Sequence, residues 1–156
     1  MDEPGSVRIQ DHYPVEFGGC FACGRDNPDG LHLDTFVDGD SVVSRWRPEA
    51  RFRGTDGILH GGVAAVLIDE IGAAAAFRAF HDHAGAALGS LVPMDFVTAT
   101  MTVDYLAPVP MDRELVVRAE ATEVTERKAW IDCTVSADGD PCVQGRLLFV
   151  LPRPKS

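Results

Sequence analysis

Two glycines followed at helical distance by two carboxylates are the residues best suited to chemistry: Gly61 and Gly62, then Asp69 and Glu70. Without side chains, Gly61 and Gly62 would let a ligand reach the free N–H groups of a first helical turn, where the helix dipole also favours negative charge. That is a ready oxyanion site. A carboxylate that attacks a carbonyl, or activates water against it, would supply the other half of a hydrolytic step. Asp69 lies seven residues beyond Gly62, ~10 Å along one axis, too far for both to act on one carbonyl group. Two facing copies of the helix would bring them together, so the spacing predicts a shared site in a homodimer. Glu70 rivals Asp69, because adjacent positions differ by ~100° around a helix and only one can face a pocket well. Ala65, Val66, Gly72 and Ala73 share the face of Asp69 and are mostly small, which would leave room for substrate. His60 invites the role of base, yet no Ser or Cys nucleophile stands nearby to complete a triad. Its other use is to pack and hydrogen-bond, holding the loop before the helix.

These residues must be carried by an element, and the run Val63–Phe80 is mostly Ala, Val, Leu, Ile and Phe with no polar stripe at helical spacing. A helix apolar all round is buried. Its ~27 Å would nearly cross a bilayer, but two central carboxylates would be costly in lipid. Gly85 is its expected terminator, with Arg78, His81 and His83 as charges suited to the negative end of the dipole. Before the helix, Leu31–Val37 and Ser41–Arg47 read as a hairpin joined through Asp38-Gly39-Asp40. After it come Val97–Leu106, Glu114–Val124, Ala129–Ala137 and Cys142–Leu151, the last three with alternating apolar positions. Keeping Ile131, Cys133, Val135 and Val143, Gly145, Leu147, Phe149 on one buried face calls for an odd loop, so Asp138-Gly139-Asp140 is expected as a three-residue turn. The sum is an α+β architecture with an antiparallel sheet curled around one long central helix.

Composition narrows the function classes. The chain has 156 residues, 46% hydrophobic and 24% charged, enough for one domain with a sizeable core. A formal net charge of -10 with only two lysines, Lys128 and Lys155, argues against nucleic-acid binding. Residues 1–16 are acidic and polar, so neither signal peptide nor membrane anchor is expected and the compartment read from this is cytoplasmic. Of four cysteines, Cys20 and Cys23 form a lone C-x-x-C amid turn-forming residues. His32 is a conceivable third zinc ligand, but no further Cys or His pair follows at finger spacing, and the expectation is a turn beside buried thiols with no metal. The pair His81 and His83 is likewise read as helix-end charge rather than as metal ligands, and no cofactor is called for.

The layout resembles the hotdog fold. His60-Gly61-Gly62 with Asp69 nine residues after the His is similar to the motif of the phenylacetic-acid-degradation (PaaI-like) acyl-CoA thioesterases. Cys20-x-x-Cys-Gly-x-x-Asn-Pro-x-Gly-Leu31, the Asp69-Glu70 pair and Tyr105-Leu-Ala-Pro108 resemble members that carry this N-terminal extension. Residues 1–19, with Pro4, Gly5, Pro14, Gly18 and Gly19 and no sustained period, are expected to form an N-terminal arm or short helix lying over the body. The resemblance implies a single hotdog thioesterase domain over 20–156. It implies hydrolysis of an acyl-CoA or acyl-carrier thioester in a homodimer or homotetramer with shared sites. Gly61, with or without Gly62, would hold the thioester oxygen, and Asp69 of the facing subunit would attack or activate water. Thr98, seven residues before Tyr105, matches a Ser or Thr near the family site. Gly54 departs from an Asn that several relatives carry six residues before the His, so either the Gly61 amide suffices, a neighbour such as Thr55 substitutes, hydrolysis is weak, or the chain is an acyl-thioester binding module without turnover. A hotdog hydratase is a third class, with its His and Asp arranged differently. Arg51, Arg53, Arg127 and Lys128 are candidates for the phosphates of coenzyme A by loop position, and Phe52, Ile58, Phe77 and Phe80 for the acyl pocket.

Overall fold

In the computed structural model, which describes residues 7–91 and 95–153, helix α1 runs Gly61–Ala84 and outruns the predicted Val63–Phe80 at both ends. His60 caps its first turn. At the other end Gly85 adopts φ 64°, and the N–H groups of Gly85 and Ala86 bond the carbonyls of Asp82 and His81. Glycine takes that left-handed turn without Cβ strain. Along its length α1 buries Ala64, Leu67, Ile68, Ile71, Ala74 and Phe77, among others, which is why its sequence lacks a polar stripe.

Six strands cover the helix as one antiparallel sheet: β1 (Thr35–Asp38), β2 (Ser41–Trp46), β3 (Val97–Tyr105), β4 (Leu115–Val124), β5 (Lys128–Ala137) and β6 (Asp140–Val150). Their spatial order is β1-β2-β4-β5-β6-β3. The expected α+β hotdog architecture, a sheet wrapped around one long helix, is therefore the observed one. The first strand is shorter than predicted. Leu31 and Leu33 are buried, but their N–H groups bond the carbonyls of Phe21 and Ala22 instead of a strand partner.

The turn between β5 and β6 corrects a second expectation. Ala137 pairs with Asp140, so the loop is the two residues Asp138-Gly139, both at positive φ (50° and 83°). That is the twist a tight hairpin favours. The odd-numbered faces still meet on the core, because the register slips by one residue between Val135 and Ser136. A β-bulge does the work assigned to a longer loop.

The two edges of the sheet differ. Along β1, Val37 N–H bonds the carbonyl of Val7, Arg8 bridges to Phe36, and residues 9–12 and 15–19 form two short 3-10 turns with Ile9 buried. Along β3 nothing pairs on the outer side among the described residues, and Val97, Met101 and Tyr105 are exposed. An uncovered edge of nine residues is a template for another strand.

Candidate functional site

The loop feeding α1 is clasped from both sides. His60 N–H bonds Phe52 O at 3.0 Å, Leu59 N–H bonds Val109 O at 2.9 Å, and Gly54 N–H bonds Ile58 O at 2.9 Å. His60 Nδ1 then accepts from Gly62 N–H at 2.9 Å. The Gly62 amide is thereby taken, while the neighbouring Gly61 N–H has no partner among the described residues. Of the two glycines singled out in the sequence, Gly61 keeps a donor for an outside oxygen. His60 acts as a cap in this arrangement. Tyr105, at the end of β3, donates from its hydroxyl to Gly61 O at 2.7 Å and so pins the helix start. This contact was not read from the sequence, where Tyr105 figured only in a motif. Gly61, Ala64, Ile58, Tyr105 and Pro108 line a groove beside the helix start. A Cβ added at Gly54 would stand 3.1 Å from His60 Cα, so this position lies directly behind the capping residue.

Two turns further along α1, Asp69 Oδ1 accepts from Thr98 Oγ1 at 2.8 Å. Asp69, read from its spacing on the helix, and Thr98, named through the family resemblance, are thus in contact. Thr98 lies on the rim of a cavity of about 320 Å³ whose other walls include Tyr13, Phe17, Phe77, Phe96 and Phe149. That volume lies at the lower end of small-molecule sites.

Glu70, not Asp69, lines the cavity, with Ala73 and Phe77 at helical spacing after it. Of the small residues expected beside Asp69, Gly72 is instead spent on packing, where an added Cβ would stand 3.2 Å from Leu147. Burial pushes the Glu70 carboxyl above its ordinary range, with the nearby Asp69 adding to it. Burial also raises the Cys23 thiol and the Tyr13 hydroxyl, which face the same interior.

The groove at Gly61 and the cavity beside Thr98 share no lining residue. Within one chain the free amide and the Asp69–Thr98 pair therefore lie in separate surroundings. Other candidates resolve by their contacts. Arg51 spans from Glu49 to the carbonyls of Asp29 and Gly30 and lies over Phe52, Arg53 pairs with Asp56, and Arg127 holds Leu151 O. Phe77 lines the cavity, Phe80 backs it through Phe96, Ile58 lines the groove, and Phe52 packs on Trp46. His81 corrects the reading of a charged helix end, since it is 0% exposed, bonds Phe77 O through Nδ1 and accepts at Nε2 from Gly89 and Leu91. His83, by contrast, is exposed. No helix among the described residues is long and apolar enough to cross a membrane.

Compared with known proteins, residues 56–144, more than half of the chain, match the profile of the Thioesterase superfamily. Acyl-coenzyme A thioesterase THEM4 of Rattus norvegicus is 24% identical over 111 residues, covering 70% of this chain and 42% of that protein. The chain therefore spans less than half the length of that relative. A thioesterase superfamily protein from Shewanella loihica PV-4 has a crystal structure 29% identical, with TM-score 0.61 over 78% of this chain and 91% of that one. A phenylacetic acid degradation-related protein from Ralstonia eutropha JMP134 is 17% identical with TM-score 0.64, covering 77% and 85% of the two chains, a likeness of fold.

Proposed function

This chain belongs to the thioesterase superfamily, and from that premise we propose that it hydrolyses an acyl-CoA or related acyl-carrier thioester in the manner of the PaaI-like enzymes. The observation that carries the reading is the pair of half-sites on one helix: a free Gly61 amide at its start, and the Asp69–Thr98 hydrogen bond at 2.8 Å beside an aromatic-lined cavity. Each half lacks what the other has.

A second copy completes them. The unpaired β3 edge, with exposed Val97, Met101 and Tyr105, is where two chains would join, and Thr98 and Tyr105 bring both half-sites to that strand. In the resulting homodimer, or a tetramer of such dimers, the acyl group enters the cavity between Phe77, Phe96 and Phe149. The Gly61 N–H of the facing subunit, aided by the helix dipole, holds the thioester oxygen as negative charge develops there. Asp69 takes a proton from water that attacks the carbonyl carbon and passes it to the departing sulfur, or it attacks the carbon itself to give a mixed anhydride. Water then hydrolyses that anhydride to the free acid, its proton going to the thiolate. In both routes Thr98 fixes the carboxylate. The carbon–sulfur bond breaks, and the thiolate leaves as free thiol after protonation. His60 supports this by capping the first turn, which aims the Gly61 amide outward.

A second reading is an acyl-thioester binding module without turnover. Gly54 favours it, because no side chain there adds a second polariser behind His60. Thiol release from aromatic, short-chain and long-chain acyl-CoAs, with wild type and Asp69→Asn side by side, decides. Hydrolysis predicts release that falls by ~10²–10⁴ in the variant. Full activity in Asp69→Asn removes this mechanism, and CoA binding without release by wild type establishes the module. Turnover of an enoyl-CoA would instead indicate a hydratase.

A further inference from the structure

The C-x-x-C turn meets helix α1 at one side chain. Cys20 Sγ, Cys23 Sγ and a carboxylate oxygen of Glu70 all lie within 4.8 Å of one another. They come from segments nearly fifty residues apart in the chain, and no disulfide joins the thiols.

The turn holds both sulfurs on one side. Cys20 N–H bonds Phe17 O at 3.0 Å, and Gly24 N–H folds back to Cys20 O at 2.9 Å. Gly24 is needed there, because a Cβ would strike Gly18 O and the backbone of Cys20. Beyond the turn, Leu31 and Leu33 bond back to Phe21 and Ala22, so the loop is braced before any ligand arrives. His32, the third ligand considered from sequence, is exposed and directed to Asn27 O. Glu70 takes that place.

Two thiolates and one carboxylate select a soft or borderline cation. Calcium and magnesium prefer oxygen alone, whereas zinc takes sulfur and oxygen ligands in a tetrahedron. Zn–S bonds of ~2.3 Å imply ligand separations of about 3.8 Å. The cluster thus needs to contract by up to ~1 Å between the sulfurs and up to ~1.3 Å between sulfur and carboxylate oxygen, where Zn–O is ~2.0–2.2 Å, a matter of side-chain rotation. Since Cys20, Cys23 and Glu70 all line the aromatic cavity, the fourth position opens onto it and would hold water.

We propose that Cys20, Cys23 and Glu70 form a three-ligand site for a divalent cation of the zinc class, which ties the C-x-x-C turn to α1 and closes one wall of the cavity. This site is independent of the hydrolytic reading, since neither Asp69 nor Gly61 belongs to it. It also gives the second carboxylate of the Asp69-Glu70 pair its own use.

The test is a cobalt titration of the full chain, reduced and stripped with chelator. One ion per chain should bind with a thiolate-to-cobalt charge-transfer band and the intense visible bands of four-coordinate cobalt, and zinc should displace it. Cys20→Ser and Cys23→Ser should each weaken binding at least about tenfold and reduce the charge-transfer band. Glu70→Gln should keep that band, weaken binding about tenfold, and shift the visible bands. Cys142→Ala should bind as wild type. A second measurement needs no variant: zinc should protect Cys20 and Cys23 from alkylation in the wild-type chain, as read by peptide mass spectrometry. Absence of the charge-transfer band at saturating cobalt, or protection at Cys133 and Cys142 instead, overturns the site. Thiol release is not a readout here, so the two proposals stand or fall separately.

Discussion

Thr98 Oγ1 donates to Asp69 Oδ1 across the gap between strand β3 and helix α1, at 2.8 Å. The bond joins the exposed edge of the sheet to the central helix, and it leaves the second carboxylate oxygen of Asp69 for other work. A hydrogen bond to a charged group is worth ~1.5–3 kcal/mol, or about ten- to a hundredfold in rate if it orients the reacting carboxylate. Thr98→Val should therefore lower kcat by about that factor with little change in KM, and Thr98→Ser should restore most of it. Steady-state thiol release reads both. An unchanged kcat in Thr98→Val would mean that Asp69 is held by something else.

Gly145 on β6 packs so closely under helix α1 that a Cβ there would collide with Ile68 Cγ2. Ile68 is fully buried and β-branched, so it cannot swing aside. Gly145→Ala should cost ~1–3 kcal/mol in chemical denaturation, the usual range for overpacking. Ile68→Ala, which removes the obstructing methyl, should cost ~2–5 kcal/mol on its own. Combined, the two should destabilise by clearly less than their sum, because each change relieves the other.

Much of this molecule was legible in its sequence, and the failures share a cause. The all-apolar run after Gly62 announced a buried helix, and the alternation in β4, β5 and β6 announced a sheet with one face on it. Asp69 came from its helical spacing and Thr98 from the family resemblance, and the two side chains meet. What pattern could not supply was register. The bulge between Val135 and Ser136 does the same parity work as an odd loop, and periodicity alone cannot tell them apart. Nor could spacing show that Gly62 spends its amide on His60, or that Glu70 turns toward two cysteines nearly fifty residues earlier. Those are contacts between segments, decided by how the turn at Cys20 lies on the helix. His81 misled because polar residues near a helix end are usually solvated, and here the following loop folds over it.

Cys133 makes stability depend on alkaline pH. Burial against the helix pushes its thiol far above the ordinary value of 9.0. In the unfolded chain the thiol loses its proton near that ordinary value, while in the folded chain it keeps it. The unfolded state therefore binds fewer protons above this point, and stability falls as pH rises. One such proton sets a limiting slope of about 1.4 kcal/mol per pH unit. Cys133→Ala should flatten the alkaline limb by up to that amount, leaving the contributions of Cys23, Cys142 and Tyr13, which burial also raises. Urea unfolding at pH values from neutral to strongly alkaline measures it. An identical slope in wild type and variant would show that Cys133 ionises in the folded state as readily as in the unfolded one.

His81 anchors the chain where it leaves the helix. Its Nδ1 faces Phe77 O at 2.8 Å and its Nε2 faces the N–H groups of Gly89 and Leu91 at 3.2 and 3.3 Å. Two N–H groups need an acceptor at Nε2, so the ring carries its hydrogen on Nδ1, a tautomer that satisfies all three partners. Phe77 lies 4.5 Å away, centroid to centroid, and the same Phe77 lines the cavity. His81→Leu keeps the apolar volume but removes the acceptor, and an N–H left unpaired at these part-buried amides costs up to ~1–3 kcal/mol. Loss of about 2 kcal/mol or more is expected, with His81→Gln recovering part of it because a side-chain amide oxygen can accept. Hydrogen exchange should locate the damage, with protection lost first at Gly89 and Leu91 and retained in the middle of α1. Equal stability and unchanged exchange at those two amides would place the anchor of this loop elsewhere.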